Sequence, residues 1–166
     1  MAATRYPHHL ADMLPDDVFR SRLQSTITAL RYWAPSIADA AHIEEAETGY
    51  YWKMIVAPTL AQACAFELIL HFDQRYDLAV GDETYESLPI ESFEIFVPFV
   101  EAIADGDVVQ RRWISRLTGL ERSVETLVTM GGGGIWRESR GEPHLMPSLE
   151  DDGTELRERR FLPYRR

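Results

Sequence analysis

Residues 50–58, YYWKMIVAP, and residues 66–80, FELILHFDQRYDLAV, decide the fold. In the first, Trp52, Met54 and Val56 alternate with Tyr51, Lys53 and Ile55 until Pro58 interrupts the ladder. In the second, Phe66, Leu68, Leu70 and Phe72 share one face, with Glu67, Ile69 and His71 on the other. Tyr76, Leu78 and Val80 continue the pattern beyond a turn at Asp73-Gln74, and Gly81-Asp82 closes it. A period of two marks strands with one buried face, so these segments predict an antiparallel meander with a single core side.

Toward the carboxyl end the period changes. Phe93, Phe96, Val97, Val100, Ile103 and Ala104 form a helical stripe within Glu91 to Asp105, with Gly106 placed to terminate it. Pro98 requires that the regular helix start near Ile95 or kink. A last hairpin is expected from Val108–Ser115 and Leu120–Met130. A two-residue loop at Thr118-Gly119 would set Val109 against Val128, Trp113 against Val124, Arg112 against Glu125 and Arg116 against Glu121. A slip of one residue would put Trp113 against Ser123 instead. Gly131 to Gly134 reads as a joint before a short edge strand at Ile135-Trp136. From Arg137 onward charges, Pro143, Pro147 and Gly153 break every period, so residues 137–166 are expected to be a mobile tail with Phe161, Leu162 and Tyr164 as anchors.

Toward the amino end, Asp16 or Asp17 is placed to cap a helix carrying Phe19, Leu23, Ile27 and Leu30 at steps of three and four, with Pro35 ending it. Residues 1–15 lack a period and form an irregular arm, packing through Tyr6, Leu10 and Leu14. Ser36 to Glu47 reads as helix by its alanines and glutamates, and as strand by Ala41, Ile43 and the turn-like Thr48-Gly49; the strand is preferred. The expected architecture is therefore α+β: a mainly antiparallel sheet of five to seven strands packed against an N-terminal helix and one helix inserted before the last hairpin. Residues 1–136 make one domain. Its core test is that Trp52, Leu68, Leu78, Trp113 and Val124 lie together beneath Phe96 and Val100.

The charge of the 166 residues is -10, from 27 acidic and 17 basic side chains. Residues 137–166 hold seven of each, so the folded part carries 20 acidic against 10 basic groups. That balance disfavours nucleic acid and anionic membrane as partners. Lys53 is the chain's one lysine. No apolar run approaches a bilayer span, and His8, His9, Asp12 and Asp16 occupy the amino terminus where a secretory segment would be apolar, so a cytoplasmic protein is expected. The lone Cys64 sits among Ala61, Ala63, Ala65 and Phe66 and reads as a small buried hydrophobe.

Few residues invite a chemical reading. Four glycines from Gly131 are followed by Ile135-Trp136-Arg137, without the helix start and Lys-Ser/Thr of a phosphate loop. The histidines His8, His9, His42, His71 and His144 lack metal-ligand spacing, so neither metal nor cofactor is expected. His71 and Asp73 fall on one side of an extended strand, about 7 Å apart by strand rise, and are the candidates for moving a proton. Arg111, between Val109 and Trp113 on the face expected to be buried, is the candidate for holding an anion, unless its stem covers Trp113 and its head reaches water.

The run from Tyr51-Trp52-Lys53 through Phe66-Glu67-Leu68-Ile69-Leu70, then Tyr85-Glu86, Phe93 to Asp105 and the hairpin after it, resembles uncharacterised small proteins of alphaproteobacteria. This bacterial resemblance implies no activity and carries over no catalytic position.

Three functional readings follow. Absence of a catalytic constellation favours a non-catalytic accessory or protein-interaction domain, homo-oligomeric or bound to a protein partner through an exposed edge or the sheet's second face, where Tyr51, Ile55 and Ile69 form an apolar strip. The alternative is a small-molecule-binding protein or enzyme with a pocket between sheet and helix, using Arg111 and His71. The third is an acidic decoy of nucleic-acid-binding proteins, which needs carboxylates aligned on one surface.

Overall fold

The computed structural model describes residues 13–141 and 153–165. Helix α1 (Asp16–Trp33) buries Phe19, Leu23, Ile27 and Leu30, the expected stripe. Its N-cap is Pro15, with no side-chain cap, so Asp16 and Asp17 serve in the first turn, where carboxylates favour the positive end of the helix dipole. Ala34 keeps helical geometry, and Pro35 falls in the opening turn of a short 3-10 segment (Ala34–Ile37), where its missing N–H costs nothing.

A meander follows: β1 (Ala41–Glu47), β2 (Tyr51–Pro58), β3 (Phe66–His71), β4 (Arg75–Val80) and β5 (Glu83–Pro89), adjacent in that order. Residues 41–47 are thus a strand. β5 is an addition that Gly81-Asp82 concealed. After the reversal Val80 faces Glu83 and Leu78 faces Tyr85, and then a bulge between Tyr76 and Leu78 shifts the register so that Tyr76 faces Leu88. The bulge places Ser87 at φ 55. Asp77 Oδ1 accepts the Ser87 N–H at 2.7 Å, which satisfies the donor that the bulge removes from the ladder.

A 3-10 turn (Phe93–Ile95) leads into α2 (Phe96–Ala104). Pro98 lies in the first turn of α2, so the helix starts near Ile95 and does not lose a bond in its interior. Strands β6 (Val108–Ser115), β7 (Glu121–Thr129), β8 (Ile135–Gly141) and β9 (Thr154–Arg160) form a second antiparallel sheet in the order β8-β7-β6-β9. The class is α+β, with nine strands among the described residues, divided between sheets of five and four where alternation pointed to one sheet.

The hairpin register is the slipped one: Val108 faces Val128, Arg112 faces Val124 and Trp113 faces Ser123. Val108, Gln110 and Arg112 therefore turn inward, while Val109, Arg111 and Trp113 turn outward. The loop from Arg116 to Leu120 is longer than two residues, and a bulge between Trp113 and Ile114 absorbs the difference. Trp113 consequently lies outside the core, whereas Trp52, Leu68, Leu78, Phe96 and Val100 share one cluster and Val124 is fully buried beyond it.

Residues 137–166 also depart from the expected mobile tail. Segment 142–152 and Arg166 lie outside the described residues, as do residues 1–12 with Tyr6, Leu10, His8 and His9. The rest of the expected tail is structured: β8 reaches Gly141 and β9 pairs with β6 over seven positions. Both are edge strands, held by the backbone ladder and by charged neighbours across it, so neither needs an apolar alternation that the sequence would display. The anchors engage as well. Leu162 N–H donates to Gln62 O at 3.0 Å, and the buried Tyr164 hydroxyl donates to Cys64 O at 2.6 Å.

This C-terminal strap passes over the end of α2 at Gly106, whose φ is 83. A side chain there would place Cβ 2.6 Å from Pro163 N, so glycine is required twice, by conformation and by space. Gly106→Ala is expected to lower unfolding stability by roughly 2 kcal/mol in urea titration. Gly49→Ala, with nothing within 4 Å of the added carbon, is expected to change it little.

Candidate functional site

The meander has two faces. Trp52, Leu70 and Tyr76 lie in one row and Met54, Leu68 and Leu78 in the next, and both rows are buried by α1, α2 and the second sheet. The opposite face repeats the same register with different chemistry. Tyr51 faces His71; Lys53 faces Ile69, which faces Asp77; Ile55 faces Glu67, which faces Ala79. All eight are half-buried, as expected for the middle of a sheet face that is open among the described residues. Neither the Lys53 nor the Glu67 side chain has an ion-pair partner among the described residues.

The sequence-predicted residues separate. β3 ends at His71 and the chain reverses immediately, so Asp73 lies in the turn and not two positions further along a strand. Its carboxylate binds Arg75, accepting from Nε at 3.0 Å, and that guanidinium holds the Asp73 carboxyl below its ordinary pKa. His71 instead meets Asp77 on β4, Nε2 to Oδ2 at 2.7 Å, with the Tyr51 ring edge-on at 6.2 Å. This is the diagonal neighbour that antiparallel pairing supplies. An imidazole oriented by a carboxylate is chemically able to accept or release a proton, but here it lies on an open sheet face.

Arg111 belongs to the outward side of the second sheet, so it is not buried beneath a helix. Its Nε donates to Glu158 Oε2 at 3.1 Å, directly across the β6–β9 ladder, and 38% of its side chain is exposed. Arg160 binds the other oxygen of Glu158 at 2.9 Å, and Arg137 binds Glu125 at 2.9 Å, so this face carries opposite charges in pairs. The Arg111 guanidinium is thus neutralised through Nε by a carboxylate of the same sheet. Cys64 is fully buried and burial pushes its thiol up to about 12, so it stays protonated at neutral pH.

Local patterns did not reveal two charged groupings. Glu83 is 3% exposed and is bound by Arg112 Nη1 at 3.0 Å and Arg140 Nη2 at 3.1 Å, and both arginines also hold Glu121. The four side chains come from β5, β6, β7 and β8, and no sequence spacing brings them together. The other grouping rims a hollow of about 290 Å³ lined by Tyr76, Ile95, Met130, Trp136, Glu91 and Glu138. Trp136 Nε1 donates to the Tyr76 hydroxyl at 3.0 Å on its wall. Burial, and then the like charge of Glu91, raise the Glu138 pKa. A second, more open groove of about 570 Å³ lies between α1 and the Phe93–Ile95 turn, with Arg22, Ser25 and Glu94 on it. Neither hollow is lined by His71, Asp73 or Arg111. Among the described residues no three His, Cys, Asp or Glu side chains are grouped to hold a metal ion, and no helix is long and apolar enough to cross a membrane.

Comparison with protein-family models, with curated protein sequences and with solved structures gives no significant match.

Two outcomes follow from this geometry. Because the folded-state pKa of Glu138 is raised, its contribution to stability is present at acid pH and is lost as pH rises through that value, above the ordinary 4.5. Glu138→Gln is therefore expected to match the wild type near pH 4 and to melt higher than it near pH 7, read by thermal unfolding across that range. Asp77→Ala, which removes the His71 contact and the Ser87 bulge bond, is expected to cost about 1–2 kcal/mol. Asp73→Ala, which removes an exposed pair, should cost under about 0.5 kcal/mol in the same denaturation assay.

Proposed function

We propose that this chain is a non-catalytic interaction domain, acting in the cytoplasm as part of an oligomer or beside a protein partner, with the outer face of the five-stranded sheet as its binding surface. One observation carries the reading: Tyr51, Ile55 and Ile69 lie contiguously on that face with Lys53 and Glu67 between them, neither with an ion-pair partner among the described residues, while the outer face of the second sheet pairs Arg111 with Glu158 and Arg137 with Glu125. A contiguous apolar strip interrupted by unpaired opposite charges is the composition of a surface that binds a complementary one.

The pocket reading finds less support. It needs Arg111 and His71 to converge, yet each is held by its own carboxylate, Glu158 or Asp77, on the outward face of a different sheet. The decoy reading needs unpaired, aligned carboxylates, and Glu45, Glu83, Glu121, Glu125 and Glu158 are each bound by arginine.

The test is site-specific photocrosslinking of the full chain in cells, with a benzophenone side chain introduced at Lys53 or, on the second sheet's outer face, at Arg111. Discrete protein adducts are expected from the first position and not the second, and they should disappear when Ile55→Glu is added. Absence of adducts at both positions, or adducts indifferent to Ile55→Glu, would overturn the reading.

A further inference from the structure

The outer face has an internal symmetry. In the β2–β3 register Lys53 is opposite Ile69 and Ile55 is opposite Glu67, so the four side chains make a two-by-two block with the isoleucines on one diagonal and the charges on the other. We propose that the partner on this face is a second copy of the chain, seated about a two-fold axis that runs along the Ile55–Ile69 diagonal. This rests on the reading of the face as a binding surface and goes further by naming its occupant.

In a face-to-face dimer the two-fold axis lies in the interface, and residues on the axis meet their own copies while residues either side of it exchange. An axis along the isoleucine diagonal stacks Ile55 on Ile55 and Ile69 on Ile69, and sets each Lys53 over the Glu67 of the other copy. Lys53 and Glu67, neither of which has an ion-pair partner among the described residues, each acquire one, twice per dimer, at the margin of an apolar centre. A strand spacing near 4.8 Å and a two-residue rise near 6.8 Å incline the diagonal by roughly 35° to the strands, so the two sheets would cross at about 70°, toward the orthogonal class of sheet packing. A foreign partner of one charge sign would call for a face of the opposite sign. A face carrying both signs, exchanged by its own diagonal, is complementary to itself.

The experiment is light scattering with sedimentation equilibrium on the full chain at several concentrations, combined with charge reversal. The wild type should dimerise. Lys53→Glu alone and Glu67→Lys alone each bring like charges together at both contacts, and each should weaken dimerisation at least about tenfold. Mixing the two single variants should restore association as a heterodimer, since each contact then joins opposite charges, and the double variant should dimerise like the wild type. A native circular-dichroism spectrum and a cooperative thermal transition will show that each variant is folded, its midpoint shifting only as far as loss of the dimer requires. A wild type that is monomeric up to about 100 µM, well above a micromolar affinity, overturns the proposal. So does a dimer indifferent to both single substitutions, or single variants that fail to rescue one another. The two readings fail separately. Photocrosslinks from position 53 to a different protein, without dimer, sink the self-association alone, while absence of any adduct or dimer sinks the binding face itself.

Discussion

The structure turns on a carboxylate that should not be where it is. Glu83 opens β5 with 3% of its surface exposed, where an unpaired charge would cost several kcal/mol. Its neutralisation requires Arg112 from β6 and Arg140 from β8, so the second sheet can stand on the first only where both guanidinium groups arrive. The hydrogen bond to Glu83 in turn raises the pKa of Arg140, and Glu121 contributes after it. The pairing also decides which side of β6 points inward. With Arg112 committed to Glu83, alternation sends Trp113 to the outer face, and the hairpin takes the register that places Arg112 over Val124.

A second polar joint continues the first. Gln110, with no exposed surface, donates from Nε2 to Val80 O at 2.9 Å and to Thr126 Oγ1 at 3.3 Å, and the Tyr85 hydroxyl meets the same Thr126 oxygen at 2.7 Å. Gly81 makes room for it: a Cβ at that turn would lie 2.9 Å from the Phe161 ring and 3.1 Å from the Gln110 carbonyl oxygen. Around these contacts the aromatic core closes, with Trp136 edge-on to Tyr85 and to Phe99. Arg159 completes the seam at the C-terminal strand, binding Asp82 at 2.8 Å and lying 4.4 Å over the Phe161 ring. The inner faces of both sheets are therefore occupied largely by contacts that hold the fold.

Those outer faces are not equivalent. The second sheet carries arginine and glutamate in matched pairs across its strands, which blunts an edge and satisfies each charge at home. The five-stranded sheet differs, with isoleucine and tyrosine beside Lys53 and Glu67, which have no ion-pair partner among the described residues. Burying the second kind of surface would remove apolar area from water and pair charges that are otherwise only solvated, which is the physical ground on which recognition is proposed there.

What the sequence by itself determined is local. The period of two across residues 51–80 and the helical stripes of α1 and α2 are properties of consecutive residues, and each element formed where its period placed it. So did the burial of Cys64 among small apolar neighbours. Tertiary structure decided everything that depends on residues far apart in the chain. The hairpin register answered to Glu83, about thirty positions upstream, and not to the charges opposite it. The charged segment 154–160 became a strand because β6 offered it a free edge. His71 found Asp77 and not Asp73 because the chain reverses between them, and the diagonal of Ile55 and Ile69 exists only once β2 and β3 are paired. Hydrophobic alternation is written along the chain, whereas charge neutralisation is satisfied across space, and that is why the elements were legible and the site was not.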